Sequence, residues 1–242
     1  MSGIRLSKLM AERGLCSRRE ADRLIEQGLV LVNGESIDQL GVRVDPASSI
    51  CLAPAAAAQR QALVTVLLNK PPGIVSNLPE QGYAEATSLI QQRTYAGNKN
   101  QAATPAPAAG SLHVAGRLDI DSSGLLVLTQ DGSIARELIS PDSVIEKEYR
   151  VRVAGDITPK RIQQLRHGLE LDGRLLCPAT VNQSGPERLV FVLTEGRKRQ
   201  IRRMCELVEL KVLTLVRTRI GKVHLGRLAR GQWRYLGPGE TF

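Results

Sequence analysis

The sequence predicts an α+β protein in two parts, a small helix-and-hairpin module followed by a larger, strand-rich domain. Three observations carry that prediction. Residues 1–50 hold two amphipathic helix patterns and one hairpin signal; an alanine-rich stretch, 53–61, interrupts the chain; and from Leu63 onward apolar runs and period-two alternation replace helical spacing. A length of 242 residues accommodates a small domain and a medium one.

The elements follow in chain order. Leu6, Leu9 and Met10 mark a short helix ending at Gly14. Ser17-Arg18-Arg19-Glu20 is a capping box, in which serine and glutamate each satisfy an orphaned backbone N–H. The helix it opens carries Ala21, Leu24 and Ile25 on one face and stops at Gly28. A strand over 29–32 then meets Asn33-Gly34, a strong hairpin turn signal. Residues 51–62, Ala-rich behind Pro54, read as an interdomain linker.

Beyond the linker, 63–68 is apolar apart from Thr65 and runs into Asn69-Lys70-Pro71-Pro72-Gly73. The runs 112–115 and 125–128 read as strands on either side of a charged loop. Tyr149, Val151 and Val153 alternate with Arg150 and Arg152, the pattern of a half-buried strand. Segments 190–193, 212–216 and 220–225 read as further strands, and a helix near 199–210 aligns Ile201, Met204, Cys205 and Val208. The polar, Ala/Pro-rich stretch 93–111 has too little apolar content to pack and is expected to be a mobile surface insert.

A net charge of +9 points to a polyanionic partner. The charge is uneven: residues 196–234 hold twelve basic side chains against two acidic ones, whereas residues 1–45 hold seven of each sign. Cys16, Cys51, Cys177 and Cys205 are far apart, with no CxxC pair and no histidine at ligand spacing, so no metal site is expected and the thiols suit a reducing cytosol. Neither a signal-peptide core nor a membrane-spanning run is visible, and a cytoplasmic protein with no membrane partner is expected.

Chemistry is best sought in Gly116-Arg117-Leu118-Asp119-Ile120-Asp121-Ser122-Ser123-Gly124-Leu125-Leu126. A carboxylate on a loop between two strands has its direction fixed by the scaffold. A turn carboxylate held by local hydrogen bonds is the plain alternative. Asp119-x-Asp121-x-Ser123-Gly124 opens like a calcium loop, but its twelfth position is Gln130 and its flanks are strands. Two carboxylates on one short loop also suit paired-carboxylate glycosidase chemistry poorly. Two more segments keep this loop company. Lys147-Glu148-Tyr149 puts a tyrosine on a strand in a chain with only four. Glu195-Gly196-Arg197-Lys198-Arg199-Gln200-Ile201-Arg202-Arg203-Met204 opens a basic helix, with Arg202 about 100° round from the apolar Ile201.

Together with Leu68-Asn69-Lys70-Pro71-Pro72-Gly73, these segments resemble, in order and approximate spacing, the motifs of the pseudouridine synthases of the RsuA/RluB/RluE/RluF family. Leu15-Cys16-Ser17-Arg18-Arg19-Glu20-Ala21 and Val32-Asn33-Gly34 resemble the S4 RNA-binding domain that precedes the catalytic domain in that family. Arg217-Thr218-Arg219-Ile220 and Arg203-Met204-Cys205-Glu206 look most like the RluF branch. The resemblance implies an S4-like domain over 1–50 and a catalytic domain over 63–242, built on a mixed, mainly antiparallel sheet flanked by helices. It implies isomerisation of a uridine in RNA, without cofactor or metal. Asp119 matches the catalytic aspartate, as nucleophile or as base. Tyr149 matches the base-stacking tyrosine, Arg202 the arginine paired with the aspartate, and Ile201 the aliphatic residue beneath the site. Lys70 and Pro71 match the supporting first motif. Arg117, Arg197, Lys198, Arg199 and Arg203 are expected on phosphates, and Arg18, Arg19 and Arg23 of the S4-like helix on RNA. The implied partner is large-subunit ribosomal RNA and, as in some members of that branch, also a tRNA; the protein is expected to be a monomer. A non-catalytic RNA-binding or ribosome-assembly protein is the alternative; it accounts for the charge but not for the three motif residues together.

Overall fold

The computed structural model describes residues 3–78, 82–97 and 105–242. In chain order the elements are β1 (Ile4–Arg5), α1 (Leu6–Glu12), α2 (Arg18–Glu26), β2 (Val30–Val32), β3 (Glu35–Ile37), β4 (Arg43–Val44), β5 (Ile50–Leu52), α3 (Pro54–Gln61), β6 (Thr65–Lys70), β7 (His113–Ala115), β8 (Ser123–Thr129), α4 (Gly132–Ile139), β9 (Lys147–Ala154), α5 (Pro159–Arg166), β10 (Glu170–Leu171), β11 (Arg174–Leu175), β12 (Thr180–Gly185), β13 (Arg188–Leu193), α6 (Gln200–Leu207), β14 (Lys211–Ile220), β15 (Val223–His224) and β16 (Trp233–Tyr235). They form two compact units, Met1–Thr65 with Thr129–Glu137, and Val66–Leu128 with Leu138–Phe242.

In the first unit, Ser17 caps α2 by accepting the Glu20 N–H at 3.3 Å. The other half of the expected capping box is replaced. The Glu20 carboxylate accepts Arg60 Nη1 at 2.6 Å instead. Asn33 (φ 50°) and Gly34 (φ 89°) turn β2 into β3, as a two-residue hairpin loop with both φ values positive requires. Arg18, Arg19 and Arg23 are exposed on α2, while Leu24 and Ile25 join a core with Leu6, Met10 and Val30. The segment expected to be a linker is ordered. Residues 50–52 pair with β2, and Pro54 starts α3, whose Ala56 is fully buried and whose Arg60 bridges Glu20 and Asp131. Proline suits the first helical turn, alanine has the best helix propensity, and one small face is enough to pack against the hairpin.

In the second unit, the strand order β12-β13-β9-β14-β8-β6-β16 forms the main sheet, with β15 beside β14 and β7 beside β8. β14 and β8 run parallel, whereas β12–β13, β13–β9, β9–β14 and β16–β6 are antiparallel. Every residue of β6 and β8 is buried, because both strands are covered on two faces. In β9, Lys147, Tyr149, Val151 and Val153 face the core. The strand expected over 212–216 is part of the ten-residue β14, and the segment expected over 220–225 is the end of β14, a turn at Gly221 and the short strand β15 paired back on it. The helix expected to reach residue 210 ends at Leu207. The flanks of the expected insert are packed rather than free. The Ala96 N–H donates to the Trp233 carbonyl at 2.8 Å, Tyr235 Oη donates to the Pro105 carbonyl at 3.3 Å, and Ala106 packs on the core. The middle of that stretch, 98–104, lies outside the described residues.

Candidate active site

The loop 116–122 joins β7 to β8 and is clamped along its length. Ser76, buried, accepts the Leu118 N–H at 2.9 Å and donates to the Leu118 carbonyl at 2.7 Å. The Gly73 N–H donates to the Ile120 carbonyl at 2.7 Å, and the Ser122 N–H closes a turn onto the Asp119 carbonyl at 3.1 Å. The segment after Lys70-Pro71 is therefore the cradle of this loop. The loop's two ends are tied by one side chain. Arg217, from β14 and 1% exposed, donates Nη2 to the Gly116 carbonyl at 2.8 Å and Nε to the Leu125 carbonyl at 2.7 Å. Gly124 makes that approach possible: at φ +107°, a Cβ there would stand 2.3 Å from the Arg217 carbonyl oxygen.

Around the half-buried Asp119 the charges are mostly positive. Lys70 is fully buried, and its Nζ donates to the Pro71 and Ile74 carbonyls at 2.9 and 2.7 Å. Burial pushes Lys70 down to about 8, against the opposing pull of Asp119 and Asp121 and with some help from Arg217. Lys147 is buried too, and its Nζ donates to the Ile145 and Thr194 carbonyls at 3.1 and 3.3 Å. Burial and the nearby Arg217 hold it below the ordinary lysine range. Buried cations are costly without hydrogen-bond partners. Here Lys70, Lys147 and Arg217 bond backbone carbonyls, which satisfy them without cancelling their charge. The cluster thus remains net positive and suits an anionic ligand.

Arg202 reaches the loop from α6, where it is 8% exposed, but its carboxylate partner is Asp121 rather than Asp119. Its Nη2 lies 3.2 Å from Asp121 Oδ1, 3.0 Å from the Asp121 carbonyl oxygen and 3.4 Å from Ser122 Oγ. Arg199, in the left-handed conformation (φ 53°) just before α6, donates to Asp121 Oδ2 at 3.1 Å. Asp121 therefore sits between two guanidiniums. The Asp119 carboxylate has no hydrogen bond or ion pair among the described residues. Arg202 Nε is buried without a partner among them. The reversal has a local cause: the turn at 119–122 points the Asp121 side of the loop toward α6.

The remaining expected residues divide clearly. Tyr149, 9% exposed, pairs across the sheet with Arg217 and Phe191 and borders the cation cluster. Ile201 is buried in the same core cluster as Tyr149. Pro71 supplies a carbonyl to Lys70, and Arg117 and Lys198 are exposed. Arg197 is a structural clamp, donating to the Leu171, Arg174 and Leu175 carbonyls and to Glu195. Arg203 makes a two-bond pair with Asp172, at 2.7 and 2.9 Å. Sequence reasoning missed Lys147, Arg217, Ser76 and the Asp121 clamp. For the two cations a signal exists: Lys147 has the strand parity of Tyr149, and Arg217 that of Leu215, so both fall on the buried face.

Comparison with known proteins defines the family of the chain. A family model described as RNA pseudouridylate synthase matches residues 64–207, and an S4-domain model matches residues 4–50. The chain belongs to the RNA pseudouridine synthase family. It is 35% identical over 241 residues to the dual-specificity RNA pseudouridine synthase RluF of Escherichia coli, covering 99% of this chain and 77% of that protein. It is 32% identical over 249 residues to an uncharacterized RNA pseudouridine synthase of Aquifex aeolicus, covering 99% of this chain and 93% of the other. A crystal structure of a pseudouridylate synthase superposes with a TM-score of 0.65 at 28% identity, covering 97% of this chain and 96% of that one.

Proposed function

We propose that Asp119 is the catalytic residue of this synthase and that its substrate is a uridine in large-subunit ribosomal RNA, with a tRNA as second substrate. The C1′–N1 bond of the nucleoside breaks, the uracil turns, and C5 bonds to C1′. The C5 proton leaves to solvent and N1 takes up a proton, so the reaction is a net isomerisation. The observation that carries the assignment is the Asp119 carboxylate itself: its neighbours Leu118 and Ile120 are clamped by Ser76 and Gly73 and its own carbonyl by the Ser122 N–H, yet the carboxylate is unpaired among the described residues. A fixed, unengaged carboxylate in a positive surrounding is available to act on a ribose, with little reorganisation at the moment of reaction.

The other residues take supporting parts in this reading. Asp121 holds Arg202 and Arg199 at the mouth of the site, so that Arg202 supports the loop from its second carboxylate. Tyr149 supplies a ring against the flipped base at the edge of the cation cluster. The S4-like module, with Arg18, Arg19 and Arg23 exposed, docks RNA by shape and phosphate contact. We read the protein as a monomer of the cytoplasm; no helix among the described residues is long and apolar enough to cross a membrane.

Asp119→Asn tests the assignment because it removes the charge and keeps the shape. Tritium release from RNA carrying 5-tritiated uridine should be lost while RNA affinity and melting temperature stay near wild type. Wild-type release by the variant would refute the role of Asp119.

A further inference from the structure

We propose that the loop 225–232 is a phosphate-binding surface for the RNA strand that flanks the target uridine, with Arg227 and Arg230 as its contacts. The proposal rests on the reading that this chain acts on RNA. It begins from a discrepancy between charge and availability. The twelve basic residues of 196–234 suggest a broad RNA-facing surface, but most of them are already engaged. The arginines at 197, 199, 202, 203 and 217 have the partners described above. Arg219 pairs with Glu146 at 2.9 Å and Arg234 with Glu240 at 2.8 Å. Arg227 and Arg230 are exposed and have no ion pair or hydrogen bond among the described residues.

The loop that carries them is a built structure. The Asn69 side-chain amide, in a residue 7% exposed, donates to the Leu228 carbonyl at 2.7 Å. The Asn69 N–H donates to the Gln232 carbonyl at 3.0 Å, and the Asn69 carbonyl accepts the Gly231 N–H at 2.8 Å. The Leu225 N–H donates to the Thr218 carbonyl at 2.8 Å, and Gln232 folds back on Ala229 through both its backbone and its side chain. A loop pinned by these bonds loses little entropy when its arginines engage a phosphate. Position supplies the second argument. Asn69 immediately precedes Lys70, the buried cation that feels Asp119, so the loop is anchored one residue from the cluster around the candidate catalytic carboxylate. Two free guanidiniums on a rigid arm beside a cationic site suit a backbone bearing one phosphate per nucleotide, and guanidinium forks match phosphate oxygens.

The test uses the full-length protein and a fluorescein-labelled, single-stranded 30-nucleotide RNA, titrated across a potassium chloride series. R227Q/R230Q should flatten the slope of log K against log salt by about 1.4, or about 0.7 for each lost single-strand contact. At saturating total RNA, tritium release should keep its wild-type rate while KM rises. R227K/R230K should retain most of the slope. R152Q/K160Q removes the same charge from sites away from this loop and should leave the slope in place. An unchanged slope in R227Q/R230Q, or an equal flattening in R152Q/K160Q, would overturn the proposal. Absence of tritium release by the wild-type enzyme would count against the catalytic reading instead, because the salt slope is measured without turnover.

Discussion

Gly124→Ala perturbs the point where the strand that follows the candidate loop meets its cation support. At φ +107° a residue with a Cβ is strained, at a cost of about 1–3 kcal/mol. The new Cβ would also stand 2.3 Å from the carbonyl oxygen, 2.7 Å from the nitrogen and 3.0 Å from the carbonyl carbon of Arg217. These are backbone atoms of a strand paired in register with Gly124, so no side-chain rotation relieves the clash. Displacing a packed strand costs a further ~1–3 kcal/mol. The total of about 2–6 kcal/mol is a large share of the 5–15 kcal/mol typical of a domain. Gly168→Ala provides the reference: at φ +88° with nothing within 4 Å of its Cβ, it should show the strain without the clash. Urea unfolding should put the midpoint of Gly124→Ala lower by about 0.7–2 M at an m-value near 3 kcal/mol/M, and clearly below that of Gly168→Ala. Activity should fall as well, since Arg217 ties Gly116 to Leu125 across the loop. Equal midpoints for the two variants, with normal turnover for Gly124→Ala, would refute the close-approach argument.

Two other perturbations probe the electrostatics. Asp121→Asn weakens the anchor of Arg202 and Arg199 without touching Asp119; the single-turnover rate should drop about 10- to 100-fold with RNA affinity nearly unchanged, and a normal rate would show that the clamp is dispensable. For Lys70, the folded-state value of about 8 lies below the ordinary 10.5, so between those values the unfolded chain binds more protons than the native one. Stability should therefore rise with pH across that window, by roughly 3 kcal/mol from Lys70 and in the same direction from Lys147. Activity should decline over the same range as the charge facing Asp119 is lost. Urea unfolding at pH 7, 9 and 10 in wild type and Lys70→Met checks this, and a pH-independent difference between the two would contradict it.

Much of the fold was determined by local sequence chemistry. The Ser17 cap, the Asn33-Gly34 turn and the apolar centres of β6 and β8 each follow from short-range rules: capping, positive φ and burial on two faces. The Ala-rich segment that becomes α3 was misread because composition alone does not show that Arg60 would find Glu20 and Asp131, the second of them 71 residues away. The flanks of the insert pack for a similar reason, since Tyr95 and Pro105 meet a strand, β16, near the end of the sequence. In the candidate site, the motif residues Asp119, Tyr149, Ile201 and Arg202 were legible as a set. Which carboxylate Arg202 takes was not: it meets Asp121 beyond the turn closed by the Ser122 N–H on the Asp119 carbonyl. Nor could sequence tell a spent arginine from a free one. Arg203 and Arg230 are alike as letters, but an aspartate 31 positions away occupies the first, while the second stays exposed on a loop that Asn69 pins. Pairing partners are chosen by distance in space, and only the tertiary structure supplies that distance.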